Sequence, residues 1–287
     1  MRILVTGARG QLGTDLMEEL SRRGHEAIGA DLPEMDITVE ASVKAFFDAS
    51  NPEAVIHCAA YTATDRAEQE IEICRKVNAL GTRILAQECA AREIKMLYIS
   101  TDYVFDGEGE IPFAVDAPAA PLSVYGQTKY EGEVAVRELV EHYFIVRISW
   151  VFGLHGKNFV KTMLRLGKEN PRVFAVSDQV GSPTYTRDLS CLLAEMIVTD
   201  RYGTYHATNE GFCSWYEFVL EIFSQAGYKT EVTPVDSDYF KSAIKRPANS
   251  RMDKSKLDEN GFSRLPTWQD AVARYLEELK QEEGAQA

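Results

Sequence analysis

The sequence predicts an α/β fold: a doubly wound parallel sheet with a smaller α/β lobe supplied by the C-terminal half. Three observations carry this. Short β-rich apolar runs alternate with amphipathic segments of helical length up to residue 150; the first such run enters a glycine turn that opens a helix; and the rhythm loosens after Trp150. Residues 2–6 read as the first strand, and 11–23 as a helix carrying Leu12, Leu16 and Leu20 on one face. Residues 25–30 form a strand closed by Asp31-Leu32-Pro33, 41–49 a helix stopped near Asn51-Pro52, and 54–57 a strand. Residues 71–92 read as one long helix, 95–100 as a strand, 124–141 as a helix and 143–149 as a strand. Right-handed crossovers between these strands place helices on both faces of the sheet. Later helices are expected over 158–167, 186–196, 215–226 and 268–280, and strands over 173–176 and 204–207, with a frayed end from 281. The expected division is 1–150 for dinucleotide binding and 151–287 mainly for substrate, some later segments returning to the main sheet.

Composition narrows the function. Among 287 residues, 31 Lys and Arg stand against 44 Asp and Glu, a net charge of −13, which argues against a broad nucleic-acid footprint. No apolar stretch approaches the ~18 residues of a membrane span. The chain opens on Met1-Arg2-Ile3-Leu4-Val5 without a cleavable signal pattern, and its five cysteines show no Cys-x-x-Cys spacing. A reducing, cytoplasmic setting with free thiols is the expectation. The five histidines have no zinc-like spacing, so no metal is expected in the chemistry.

Gly7-Ala8-Arg9-Gly10-Gln11-Leu12-Gly13 is a G-x-x-G-x-x-G turn between strand and helix. Such a turn needs positive φ, close backbone approach to a pyrophosphate, and tight packing of helix on strand, as in a Rossmann dinucleotide site. A glycine-rich turn that binds nothing is the plain alternative. Asp31 follows Gly13 by 18 residues, near the ~20 expected of a carboxylate that accepts from a ribose 2′-hydroxyl and repels a 2′-phosphate. Arg9 opposes that repulsion, so NADH and NADPH both stay open.

Tyr125 and Lys129, four residues apart at the start of a helix, share a face. A phenol titrates near ~10, too high for easy proton exchange at neutral pH, and a neighbouring ammonium would lower it. Thr101, at the carboxyl end of a strand, offers a hydroxyl to a carbonyl oxygen. Each element recurs by chance. Their occurrence together and in this order points to a nicotinamide site in which Tyr125 exchanges a proton, Lys129 lowers its pKa and donates to the ribose, and Thr101 offers its hydroxyl to a carbonyl oxygen.

These residues carry a resemblance. Thr6-Gly7-x-x-Gly10-x-x-Gly13, Ala59-Ala60, Asn78 with Gly81-Thr82, and Tyr125-x-x-x-Lys129 resemble the extended short-chain dehydrogenase/reductases. Ser100-Thr101-Asp102-Tyr103-Val104-Phe105-Asp106-Gly107, Arg147-Ile148-Ser149-Trp150-Val151-Phe152-Gly153, Asp178-Gln179-x-Gly181-x-Pro183-Thr184 and Arg246-Pro247 with Ser250 are similar to the dTDP-4-dehydrorhamnose reductase family. The resemblance implies NADH- or NADPH-dependent reduction of the C4 ketone of dTDP-4-dehydro-L-rhamnose, the last step of dTDP-rhamnose synthesis, with Tyr125 as the proton donor of a reductase. It further implies coenzyme contacts from Ala59, Ala60, Tyr61, Asp36 and Ile37, and sugar contacts from Asp102 and Trp150. Asn158 is a candidate for the substrate diphosphate or for a helix cap. A homodimer stays open, in some members with magnesium at the contact, although Asp15 and Glu195 belong to no ligand-spaced cluster. Two competing functions are an epimerase or dehydratase on the same scaffold and a non-catalytic regulatory subunit. Tyr103, where the lyases commonly carry a second acid after the catalytic hydroxyl, argues against a dehydratase. Intact Thr101, Tyr125 and Lys129 argue against a regulatory subunit.

Overall fold

The computed structural model describes residues 1–240 and 244–286. Alternation along the strands sets its layers. In β1 (Arg2–Thr6), Ile3 and Val5 enter one core and Leu4 the other, and all three are fully buried. β2 (Glu26–Ala30), β3 (Ala54–His57), β4 (Lys95–Thr101), β5 (Tyr143–Ile148) and a later strand, Gly203–His206, complete a six-stranded sheet. Its order is Gly203–His206, β5, β4, β3, β1, β2, with every pair parallel.

Two helices close one face. Leu12, Leu16 and Leu20 of α1 (Gln11–Arg22) and Leu189, Leu192 and Leu193 of helix Thr186–Met196 pack on Ile56, Leu97, Ile99 and Val146. On the other face, Val43 and Phe47 of helix Glu40–Ser50, Ile84 and Leu85 of helix Thr82–Ala91, and Val136 of helix Val124–Leu139 meet Leu4, Val55, Met96 and Ile145. Each fully buried Leu or Phe contributes about 1.5–3 kcal/mol, so both faces are held by continuous apolar layers. A third core, with Phe152, Tyr185, Phe218, Phe223, Trp268 and Tyr275, lies in the C-terminal half beside a parallel ribbon of Arg172–Val176 and Glu231–Val235.

Three departures from the sequence reading have physical causes. The expected helix over 71–92 is divided: Ile71–Arg75 and Thr82–Ala91 flank a π-helical stretch, Lys76–Gly81. The extra residue of a π turn leaves helical spacing legible on either side, so periodicity reads straight through it. Glu231–Val235 contains Pro234, which reads as a break but is tolerated on the edge of a two-stranded ribbon. The last helix, Trp268–Gln286, runs past the expected frayed start at 281, and Ala287 lies outside the described residues.

Sheet order positions the site. β2 lies on one side of β1 and β3 on the other, so the chain reverses direction across the sheet there. Crevices open beyond the carboxyl ends of strands at such a reversal.

Candidate active site

A cavity of about 860 Å³ opens at that reversal, bordered by Gly7, Gly10, Gln11, Leu12, Ala59 and Ala60 at one end and by Trp150, Trp215 and Arg246 at the other. Gly7 takes φ +68 and donates its N–H to the Ala30 carbonyl at 3.0 Å. A Cβ on Gly7 would stand 2.7 Å from the Ala59 nitrogen, so only glycine lets the ends of β1 and β3 approach this closely. Gly13 borders no part of the cavity; it lies behind the turn, where the Gly7 carbonyl would be 2.0 Å from its Cβ. No side chain caps the N-terminus of α1 at Gly10, which leaves first-turn N–H groups for an anion. This cradle fits a dinucleotide pyrophosphate.

Beside the turn, the Arg9 N–H donates to Asp31 Oδ2 at 2.7 Å. The Arg9 guanidinium is turned to Glu34, with which it pairs, and to the Leu32 carbonyl at 3.0 Å. Asp36 and Ile37 also border the cavity. Asp36 Oδ1 accepts from the Thr38 hydroxyl at 2.7 Å and N–H at 2.9 Å, which hold its carboxyl below the usual range. Tyr61 faces elsewhere. Its hydroxyl donates to Glu70 at 2.5 Å and its N–H to Asn78 Oδ1 at 2.8 Å, and it is absent from the cavity wall.

The hydroxyl cluster forms where β4 meets helix Val124–Leu139. Thr101 Oγ1 accepts the Tyr103 N–H at 3.2 Å, capping a short 3-10 turn, and donates to Asp102 Oδ1 at 2.9 Å. A Cβ on Gly126 would fall 2.2 Å from the Tyr103 carbonyl. Glycine at that position lets the helix start press against the turn, bringing Tyr125 beside Thr101 on the same cavity wall. Burial pushes Tyr125 up, with Thr101 acting against it. The expected lowering by Lys129 is therefore not found; desolvation of the phenol wins. Burial likewise raises Asp102 to about 6, with the Thr101 hydroxyl acting against it through Oδ1.

Lys129 is nearly inaccessible. Its Nζ donates to the Ile99 carbonyl at 2.6 Å and stands 4.1 Å above the Tyr98 ring centroid. Burial lowers it to about 7, while Glu133, Cys58 and Cys74 pull the other way. The folded protein sheds this proton near pH 7, whereas the unfolded chain keeps it to about 10.5. Over that window the unfolded state binds more protons, so stability rises with pH, by up to ~1.4 kcal/mol per unit. Lys129→Met is expected to remove this rise, measured as the wild-type-minus-variant difference in urea denaturation at pH about 7 and about 9.5. A difference that stays flat with pH contradicts the assignment.

Behind the cluster, Asn78 on the π-helical stretch is buried. It donates Nδ2 to the Tyr61 carbonyl and to Thr128 Oγ1, each at 3.2 Å, tying that stretch to the helix that carries Tyr125.

Trp150 follows β5 with φ +50, a conformation bulky residues rarely adopt. Its ring stacks on Trp215, centroids 3.7 Å apart and planes at 14°, and Trp215 Nε1 donates to Gln179 Oε1 at 3.2 Å. Trp215 and Arg246 also border a second cavity of about 1310 Å³, with Phe159, Met163, Phe174 and Gln179, so the two spaces share a wall. Arg246 pairs with Asp65 at 2.7 Å across that boundary.

Asn158 borders neither cavity. Its Oδ1 caps helix Phe159–Glu169 by accepting the Lys161 N–H at 2.9 Å, and its Nδ2 donates to Gln11 at 2.9 Å and to the Gly153 carbonyl at 2.7 Å. With those bonds made, the cap is the reading the structure favours over a substrate contact. The structure thus brings Gly7, Arg9, Gly10, Gln11, Leu12, Asp31, Asp36, Ile37, Ala59, Ala60, Thr101, Asp102, Tyr125, Lys129 and Trp150 to one cavity, and leaves Gly13, Tyr61 and Asn158 outside its wall. Trp215 was missed because it reads simply as a helix start. Ser214-x-x-Glu217, a capping box present here, marks that start in the sequence. Among the described residues no helix is long and apolar enough to cross a membrane, and no group of three or more His, Cys, Asp and Glu could hold a metal ion.

The family model described as RmlD substrate binding domain matches residues 1–281. The spore coat polysaccharide biosynthesis protein SpsK of Bacillus subtilis is 37% identical over 277 residues, covering 96% of this chain and 97% of its own. A dTDP-4-dehydrorhamnose reductase of Aggregatibacter actinomycetemcomitans is 38% identical over 284 residues, covering 94% and 97%. The crystal structure of dTDP-4-dehydrorhamnose reductase from Bacillus anthracis, in complex with NADP, superposes with a TM-score of 0.93 at 43% identity, covering 96% of this chain and 99% of that one. A glycine turn, a hydroxyl cluster and an aromatic wall around one cavity, matched along nearly the full length, mean that the chain belongs to the dTDP-4-dehydrorhamnose reductase family.

Proposed function

We propose that this chain is an NAD(P)H-dependent oxidoreductase that reduces the C4 ketone of dTDP-4-dehydro-L-rhamnose, giving dTDP-L-rhamnose. The observation that carries the reading is one continuous cavity wall holding the uncapped α1 terminus, Thr101, Tyr125 and Lys129. On this reading residues 1–150 hold the coenzyme and 151–287 chiefly the nucleotide sugar, although helix Thr186–Met196 and strand Gly203–His206 pack with the main sheet.

Gly7, Gly10, Gln11 and Leu12 would receive the pyrophosphate, Asp31 the adenosine ribose and Lys129 the nicotinamide ribose. The bound dinucleotide supplies hydride. Tyr125 delivers the proton to the new alkoxide; burial keeps its hydroxyl protonated until then, and easy transfer at neutral pH needs a cation beside the phenol. The Thr101 hydroxyl proton points to Asp102, so its oxygen can accept from Tyr125, and Thr101 donates to the substrate oxygen only by turning from Asp102. Lys129, anchored on the Ile99 carbonyl, stands on the same helix face one turn from the phenol, and burial leaves its ammonium only partly protonated at neutral pH. The Trp150–Trp215 stack forms an apolar wall suited to a sugar ring, and the neighbouring cavity offers Arg246 to the nucleotide portion.

Incubation with NADH or NADPH and dTDP-4-dehydro-L-rhamnose is expected to oxidise one coenzyme per sugar reduced, with dTDP-L-rhamnose identified by mass spectrometry and NMR. An isomerised sugar without net coenzyme oxidation would assign the chain to epimerisation instead.

A further inference from the structure

The Arg9 guanidinium stands beside Asp31, where an adenosine ribose would lie, yet it is committed elsewhere. A backbone turn from the Asp31 carbonyl to the Met35 N–H, 2.9 Å, folds Glu34 back toward the glycine turn. There Glu34 takes the guanidinium in a two-pronged contact, Oε2 at 3.1 Å from Nη1 and Oε1 on Nη2, while the Leu32 carbonyl accepts from Nη1 at 3.0 Å. Both carboxylates thus meet the same residue, Asp31 at its backbone and Glu34 at its side chain. The local balance is two negative charges against one positive. A hydroxylated ribose tolerates that balance; a 2′-phosphate, doubly negative, does not. The pair is also labile: the Arg9 and Glu34 side chains are 64% and 41% exposed, and exposed pairs are weak and screened by salt.

We propose that Glu34 sets the coenzyme preference by holding the Arg9 guanidinium away from a 2′-phosphate, so that NADH is favoured and NADPH binds only by displacing the carboxylate. This rests on the glycine turn being a dinucleotide site. Released from Glu34, Arg9 becomes a fork-shaped donor suited to a phosphate. Glu34 touches no reacting atom; it acts through Arg9.

The test is calorimetric titration of NADH and NADPH into the full-length chain as wild type, Glu34→Gln, Arg9→Gln and the double variant. Glu34→Gln is expected to tighten NADPH ~10-fold, the scale of removing one unit charge near a dianion in a largely aqueous setting, with NADH changed less than about twofold. Merely deleting a negative charge would give the same gain whether or not Arg9 is present. Relief of Arg9 predicts a gain at least about threefold larger with Arg9 than in the Arg9→Gln background. A smaller difference between backgrounds, or an unchanged NADPH/NADH ratio in Glu34→Gln, overturns the proposal. Failure of all four proteins to bind either coenzyme overturns the dinucleotide site itself, and the proposal with it.

Discussion

Tyr125→Phe is expected to lower kcat at least ~100-fold while coenzyme affinity changes less than about threefold. The substitution deletes one oxygen and keeps the ring, so the edge-on packing against Tyr103, centroids 5.5 Å apart, survives. What is lost is the positioned proton. General acid catalysis contributes typically ~10²–10⁴-fold, and with the phenol gone the alkoxide must take its proton from Thr101 or water. Because burial raises the Tyr125 pKa, the wild-type donor stays protonated through neutral pH, and its loss is felt across that whole range. Steady-state kinetics and NADH titration on the same preparation separate the two effects. A kcat within about threefold of wild type would remove Tyr125 from the chemistry.

The largest loss of stability is expected two turns further along the same helix. Glu133→Ala should cost ~3–5 kcal/mol, the penalty for stranding a buried charge after its partner is removed. Glu133 is fully buried and accepts from Ser100 Oγ at 2.6 Å, from Arg147 Nε and Nη2 at 2.8 Å each, and from Arg137 Nη1 at 2.9 Å. Arg147 is itself only 4% exposed. Burial pushes the Glu133 carboxyl up, but the Arg147 ion pair and the other donors outweigh it, leaving the group below its ordinary value. The stabilisation it gives is therefore present above the usual carboxylate range and disappears as pH falls through the lowered value. Urea denaturation at neutral pH should show the midpoint fall for Glu133→Ala, with Glu133→Gln between the two because an amide keeps an acceptor but not the charge. An Ala variant within about 1 kcal/mol of wild type would mean that solvent reaches Arg147.

Much of this fold was legible because its strands are short, apolar and separated by helices of ordinary spacing. Strands β1 and β3 and helices Thr186–Met196 and Trp215–Ala226 lie at their expected residues. What escaped the sequence lacks a period. Pairs such as Val180–Gly181 with Cys213–Ser214 are two residues long, and the π-helical stretch inserts its extra residue between segments that both look helical. The site divides similarly. Glycines and a Tyr–Lys pair advertise themselves by spacing, whereas the partnership of Arg9 with Glu34 depends on a turn that brings residues 25 positions apart into contact. Asn158 shows the converse: an amide at a helix start has the same appearance whether it serves a ligand or its own backbone, and only the bonds it makes distinguish the two.

The strand Gly203–His206 gives the sheet a late-arriving border. As the chain leaves the ribosome, β5 is complete by Ile148, yet its outer hydrogen-bonding edge stays open for more than fifty further residues. The α1 face of the nascent sheet meanwhile awaits helix Thr186–Met196. An unfinished edge of this kind is where neighbouring polypeptides pair wrongly. Arrest peptides placed near residue 150 and beyond residue 206 should therefore report docking force mainly at the later position, and fragments ending at Trp150 should aggregate.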